Sequence, residues 1–138
     1  MDVKKILKEA TDNGASDIFI VAGRPLTYKS KGVMECLNEI RMIPKETFEF
    51  VTSIYALAER DISKFEDDFS FAIPGVSRYR VSTFKQRGSY SAVIRVISFT
   101  LPKPSDLHIP DSVMELAETN NGMVLVTGPA GSGKSTTL

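Results

Sequence analysis

The sequence predicts an α+β domain with a mostly antiparallel sheet, followed by a linker and the start of a second unit. Three observations carry this. Apolar residues recur at helical spacing early in the chain, near the first residues and again from Pro44. Three segments between Asp68 and Ser98 read as strands joined by short glycine-containing turns. A stretch holding three of the seven prolines, Phe99 to Pro110, then separates them from a glycine-rich motif.

Taken in order, Val3, Ile6, Leu7 and Ala10 mark an amphipathic helix over Asp2 to Asp12, stopped by Asn13-Gly14. Asp17 to Val21 reads as a strand, and Gly23 and Pro25 turn the chain. Leu26 to Ser30 and Val33 to Leu37 form a hairpin about Lys31-Gly32. Pro44 opens a second helix with Phe48, Val51, Ile54, Tyr55 and Ala58 on one face. A short helix is expected over Asp61 to Phe65. Strands follow at Asp68 to Ile73, Arg78 to Phe84 and Tyr90 to Ser98, with turns at Pro74-Gly75 and near Arg87-Gly88. Beyond the linker, Asp111 is expected to cap a short helix to about Glu118. Met123 to Thr127 is apolar enough for a strand buried on both faces of a parallel sheet. The organisation is therefore residues 1–98 as an N-terminal domain, 99–110 as a linker and 111–138 as the start of a second domain.

Composition removes several classes of function. The 138 residues are 42% hydrophobic, enough for a core, so wholesale disorder is excluded. Seventeen basic residues balance seventeen acidic ones, which argues against a dedicated nucleic-acid binder. No apolar run approaches the roughly 20 residues of a membrane span, and MDVKKILKEA at Met1 to Ala10 has no signal-peptide core. Cys36 is the one cysteine and His108 the one histidine, so a disulfide framework and a Cys/His metal centre are excluded within one chain. A cytoplasmic protein is expected. Cys36 closes an apolar strand and is expected to be a buried thiol. His108 is expected to be a solvated linker residue.

Charge is unevenly distributed. Glu59, Asp61, Glu66, Asp67 and Asp68 cluster, and from Phe69 to Ser105 there is then no acid at all. That stretch carries Arg78, Arg80, Lys85, Arg87, Arg95 and Lys103, a place for an anion. If the last hairpin turns at Arg87-Gly88, Phe84 faces Ser91, Ser82 faces Val93 and Arg80 faces Arg95. Arg78, Arg80 and Arg95 then share one face. Two arginines directly opposite repel each other, so solvent, an acidic neighbour or a bound polyanion must offset them. One reading has Arg80 and Arg95 contacting a nucleotide γ-phosphate through planar guanidinium contacts. The other has a solvated face or ion pairs with Glu66, Asp67 and Asp68.

The motif with the most specific chemistry is GPAGSGKS, Gly128 to Ser135, a match to G-x-x-x-x-G-K-[ST]. Glycines let backbone N–H groups converge on one anion, and the helix after Gly133 adds its positive end. Lys134 is expected to reach the β- and γ-phosphates and Ser135 to place its hydroxyl on Mg²⁺. A chance match is expected about once per several hundred chains of this size, so a flexible Gly/Ser tail explains the motif poorly. Only four residues follow Lys134, whereas an isolated helix needs roughly 12 to be marginally stable. The acid that helps hold Mg²⁺ is expected on a later strand. The chain therefore reads as cut inside a catalytic domain, and the 138-residue piece as inactive by itself.

GASDIFI, DFSFAIPGVSRYRVSTFKQRGS, the R-x₁₄-R spacing of Arg80 and Arg95, and NGMVLVTGPAGSGKSTTL together resemble the type IV pilus retraction ATPases, the PilT family of the wider secretion ATPase superfamily. The resemblance runs through nearly the whole chain in order. It implies a PAS-like N-terminal domain linked to a RecA-like ATPase domain. It also implies a homohexameric ring and ATP hydrolysis with Mg²⁺ that removes pilin from the pilus base. Arg80 and Arg95 carry over as the N-domain arginines that approach the γ-phosphate. The nucleotide loop carries over as Gly128, Pro129, Ala130, Gly131, Ser132, Gly133, Lys134, Ser135 and Thr136. An inner-membrane pilus platform protein is the implied partner, at the inner face of the cell membrane. The family usually has histidine where Phe19 stands, and arginine and aspartate where Lys29 and Lys31 stand. Assembly ATPases of pilus, competence or secretion systems remain an alternative. So does a PAS-like binding or sensory module without a motor role, which needs an enclosed apolar pocket.

Overall fold

The computed structural model describes residues 1–62, 66–99, 103–129 and 132–137. The chain divides into two compact units, Met1–Phe99 and Thr100–Leu138.

The first unit is α+β, as the sequence predicts. It contains α1 (Val3–Asp12), β1 (Ala15–Ile20), β2 (Pro25–Ser30), β3 (Val33–Arg41), α2 (Pro44–Leu57), β4 (Asp67–Ile73), β5 (Ser77–Gln86) and β6 (Ser89–Ile97). The strands form one six-stranded sheet in the order β3-β2-β1-β6-β5-β4, antiparallel at every pairing. It is two consecutive three-stranded meanders joined where the first strand meets the last. The turns explain the local pairing. Lys31-Gly32 and Arg87-Gly88 both have positive φ at each residue (49° and 84°, 50° and 78°). That is the two-residue geometry whose twist matches flanking antiparallel strands.

Both helices start on defined caps. The Asp2 carboxylate accepts from Lys5 N at 3.1 Å, and Ile43 N donates to Glu46 Oε2 at 2.8 Å with Pro44 in the first turn. The helices cover one face of the sheet, α1 against β1 and α2 against β6. Alternation sends Ile18, Ile20, Tyr79, Val81, Ala92 and Ile94 to that face, and all six are fully buried. Leu7, Phe50, Val51 and Ile54 pack onto them from the helices, also fully buried. Polar groups taken inside find partners. Tyr79 Oη meets Thr11 Oγ1 at 2.9 Å and donates to Leu7 O at 3.4 Å. Tyr55 Oη meets Thr83 Oγ1 at 2.9 Å. Among the described residues no buried side-chain N or O lacks a partner.

Several local expectations are corrected. Phe48 is 44% exposed, lying beside the Tyr90 ring at 5.4 Å, while Phe50 and Thr47 are fully buried. The buried stripe of α2 is thus rotated from the one the aromatic spacing suggests, because Thr47 occupies a core position. β3 runs four residues past Leu37 and is exposed almost throughout, being the edge strand. Cys36 on it is exposed, not buried. The expected helix over Asp61 to Phe65 falls in part on residues 63–65, outside the described residues, and Asp61 and Ile62 belong to no helix.

In the second unit, α3 (Asp111–Met114) runs into a single 3₁₀ turn, Glu115–Glu118. Pro110, not Asp111, occupies the cap position, with Asp111 as the first helical residue. Met123 to Thr127 is not a strand, and Met123, Val124 and Leu125 are 82%, 53% and 76% exposed. A strand exists only by pairing, and no other strand lies among the described residues of this unit. The residues after Gly133 form the short α4 (Lys134–Thr137). Among the described residues no helix is long and apolar enough to cross a membrane.

Phe50→Ala is expected to cost about 3–5 kcal/mol in denaturant unfolding of the first unit, and Phe48→Ala clearly less; equal losses would contradict the assigned stripe. Burial pushes the Tyr55 and Tyr79 phenols above their ordinary range, and a hydrogen bond to Glu35 does so for Tyr28. A raised folded-state pKa contributes stability that is complete below the unfolded value of about 10 and lost as pH rises through the folded one. Phenolate absorbance is therefore expected to lag behind that of free tyrosine on alkaline titration, with stability falling in the same range.

Candidate functional site

The face of the sheet opposite the helices carries the charged residues. The register sets Arg80 directly across from Arg95, Ser82 across from Val93 and Phe84 across from Ser91, as the turn at Arg87-Gly88 predicts. The row continues in both directions. Arg95 faces Asp17 on β1, Asp17 faces Lys29 on β2, and Arg80 faces Ser70 on β4. Arg78, Arg80 and Arg95 are exposed on this one face. An open hollow of about 310 Å³ is lined by Asp17, Asp68, Arg80, Ser82, Val93 and Arg95.

Asp17 is the residue that sequence reasoning missed. Arg95 Nε donates to its Oδ1 at 3.1 Å, and the Asp17 side chain is 17% exposed against 68% for Arg95. Ser16 Oγ donates to Asp17 Oδ2 at 3.0 Å. The acids proposed from the sequence as partners are used differently. Asp67 pairs with Arg60 at 3.1 Å, on the opposite side of the strand from Asp68, which lines the hollow. No ion pair of Arg80 is seen among the described residues. Two adjacent guanidiniums that share a face and only one close carboxylate partner leave unmet capacity for an anion.

The glycine-rich loop belongs to the second unit. A Cβ on Gly128 would stand 2.6 Å from Ser132 Oγ, so a side chain there requires the Ser132 hydroxyl to move, and the φ of 155° favours glycine. Ser132 N donates to Pro129 O at 3.3 Å, and Thr137 N to Gly133 O at 3.0 Å as the short helix begins. The Lys134 ammonium folds back, donating to Gly128 O at 2.8 Å and also to Pro129 O. A cation held by neutral carbonyls in the mouth of a tight loop can exchange them for phosphate oxygens, which accept charge-assisted bonds more strongly. Ala130 and Gly131, and the side chains of Ser135 and Thr136, lie outside the described residues. His108, in the second unit, is exposed with φ 55°.

The type IV pilus retraction ATPase PilT of Pseudomonas aeruginosa is 36% identical over 140 residues, matching 100% of this chain and 41% of its own length. The type IV pilus ATPase PilU of the same organism is 34% identical, over 100% of this chain and 37% of its own. A twitching motility protein of Neisseria gonorrhoeae is 42% identical over 78% of this chain and 29% of its own. This chain therefore spans about two fifths or less of the length of these relatives. Among solved structures, the pilus retraction motor PilT with bound ADP superposes with a TM-score of 0.75 at 38% identity, over 99% of this chain and 41% of that one. The Legionella pneumophila ATPase DotB gives 0.71 at 28% identity, over 96% and 39%. The family described as type II/IV secretion system protein matches residues 1–138, and the chain belongs to it.

Proposed function

We propose that this chain is the N-terminal part of an ATP-hydrolysing motor subunit that drives type IV pilus retraction. In this reading the first unit is a PAS-like domain and the second begins a RecA-like ATPase domain. The observation that carries it is the placement of Arg80 against Arg95 on the open face of the sheet, where Asp17 pairs with Arg95 and Arg80 has no ion pair among the described residues. The likeness to pilus ATPases along the whole chain supports reading the anion bound there as a nucleoside triphosphate.

The residues present fit a bound nucleotide. Gly128 supplies a backbone conformation, φ 155°, that favours glycine, and Lys134 supplies an ammonium that bonds Gly128 O. In use, backbone N–H groups of the loop bind the phosphates, and Lys134 moves from carbonyl to phosphate oxygens. Ser135 offers its hydroxyl to Mg²⁺, and Thr136 follows in the same turn. A bound Mg²⁺ would neutralise charge between the terminal phosphates. Arg80 and Arg95, supplied by a neighbouring subunit, spread their positive charge over the γ-phosphate oxygens as negative charge builds on them. That arrangement calls for a ring, a homohexamer, docked on a membrane platform protein at the cytoplasmic face. The sensory alternative needs an enclosed apolar pocket, whereas the space between helices and sheet is filled by Phe50, Ile54, Tyr79 and Ile94, all fully buried.

In the full-length protein, Arg80→Ala and Arg95→Ala are each expected to lower ATP turnover by about a hundredfold or more while the thermal transition stays in place. Wild-type turnover in both variants would end the phosphate assignment. Lys134→Ala is expected to abolish turnover. The 138-residue chain alone is expected to show none, because its helix after the loop is one turn long. Steady hydrolysis by that chain, lost on Lys134→Ala, would contradict this.

A further inference from the structure

We infer that Asp17, held by a β-bulge at Ser16, is a positioning residue for Arg95. The inference rests on the phosphate-binding reading of Arg80 and Arg95 and adds to it what orients the second guanidinium.

The local geometry begins with register. β1 pairs with β2 through Ala15 and Ser30, then through Asp17 and Lys29, so Ser16 is the extra residue of a bulge. A bulge breaks strict alternation and re-aims side chains. Here it leaves Ser16 and Asp17, neighbours in sequence, both on the outer side of a strand whose Ala15, Ile18 and Ile20 are buried. Ser16 Oγ lies within reach of Asp17 Oδ2 at 3.0 Å and of Lys29 O at 3.2 Å, tying the bulge to the next strand. The other carboxylate oxygen, Oδ1, accepts from Arg95 Nε. Both oxygens of Asp17 are thus engaged, and the side chain is mostly shielded from water while its partner is mostly exposed.

The choice of nitrogen matters. A guanidinium has five N–H groups in a fixed plane. A carboxylate on Nε fixes the rotation of that plane and leaves the far edge, with its two terminal nitrogens, for a second acceptor. Asp17 also lies beside Arg95 in a row in which Arg80 flanks the other side. Its negative charge offsets the repulsion between the two arginines without taking Arg80 itself. A pre-oriented guanidinium meets the γ-phosphate without first losing the freedom of a long side chain, an advantage felt in the rate more than in ground-state binding.

Two measurements separate this inference from the reading beneath it. In the 138-residue chain, side-chain ¹⁵N spectra are expected to show the Arg95 Nε–H protected from solvent exchange relative to that of Arg80. Asp17→Asn should remove the protection at Arg95 alone. Equal exchange at the two arginines, or no change in Asp17→Asn, overturns the inference whatever the protein's activity. In the full-length protein, Asp17→Asn is expected to lower kcat about tenfold with KM for ATP within about twofold and the thermal transition unmoved. Combining it with Arg95→Ala should cost no more than Arg95→Ala alone. Ser16→Ala, which keeps the carboxylate, should lower kcat in the same direction by less, and serves if Asp17→Asn does not fold. If Arg95→Ala is impaired while Asp17→Asn and Ser16→Ala turn over normally, Asp17 has no positioning role and the phosphate reading survives. Faster turnover in Asp17→Asn would make Asp17 a competitor of phosphate and also overturns it. Wild-type rates in Arg80→Ala and Arg95→Ala would remove the reading and this inference together.

Discussion

A sheet with helices on one face has a single place for charge, and the first unit is organised by that constraint. Ile18, Ile94 and Val81 sit across from one another on the helix side. One residue further along each strand, Asp17, Arg95 and Arg80 are forced to the other side. The core and the charged row are therefore the same decision. No arginine in the row can turn inward without expelling a fully buried apolar residue, and burying a guanidinium without a partner is prohibitive. Hydrophobic packing beneath the sheet holds the charged groups above it.

The two candidate anion-binding features use different physics. The arginine row presents full positive charges on long side chains, useful where a negative charge grows during a reaction. The glycine loop presents main-chain groups and one lysine, and depends on backbone conformation: Gly128 has φ 155°, where a side chain is strained. The first depends on sheet register, the second on the absence of a Cβ. A substitution that loosens one leaves the other intact, which is why they are separable by mutation.

Sequence reading captured what is local. The register of β5 on β6 was legible because a two-residue turn, Arg87-Gly88, admits few pairings once alternation is imposed. The glycine loop was legible because its chemistry demands particular residues at particular spacing. Asp17 was not, since its contact with Arg95 spans 78 positions and depends on β1 entering the sheet beside β6. Nothing in periodicity announces that neighbour. The phase of α2 was misread because Thr47 is buried with its hydroxyl bonded to Pro44 O, so a polar letter occupied a core position. Cys36 was misplaced because an apolar strand looks alike whether central or at an edge. Met123 to Thr127 has the composition of a central strand, and composition supplies no pairing partner.

The strand order bears on how the sheet assembles. β2 with β3 and β5 with β6 close across two-residue loops, the cheapest loop closures a chain offers. β1 differs, because one edge of it joins a hairpin next in sequence and the other joins the last strand of the unit. Forming that seam draws together segments separated by most of the unit's length, a longer loop closure than either hairpin requires. The bulge at Ser16 lies on the other edge of β1, in its pairing with β2, just before the seam begins at Asp17 and Arg95. One strand thus absorbs an extra residue against its neighbour in sequence while keeping an unbroken alignment with the strand that arrives last.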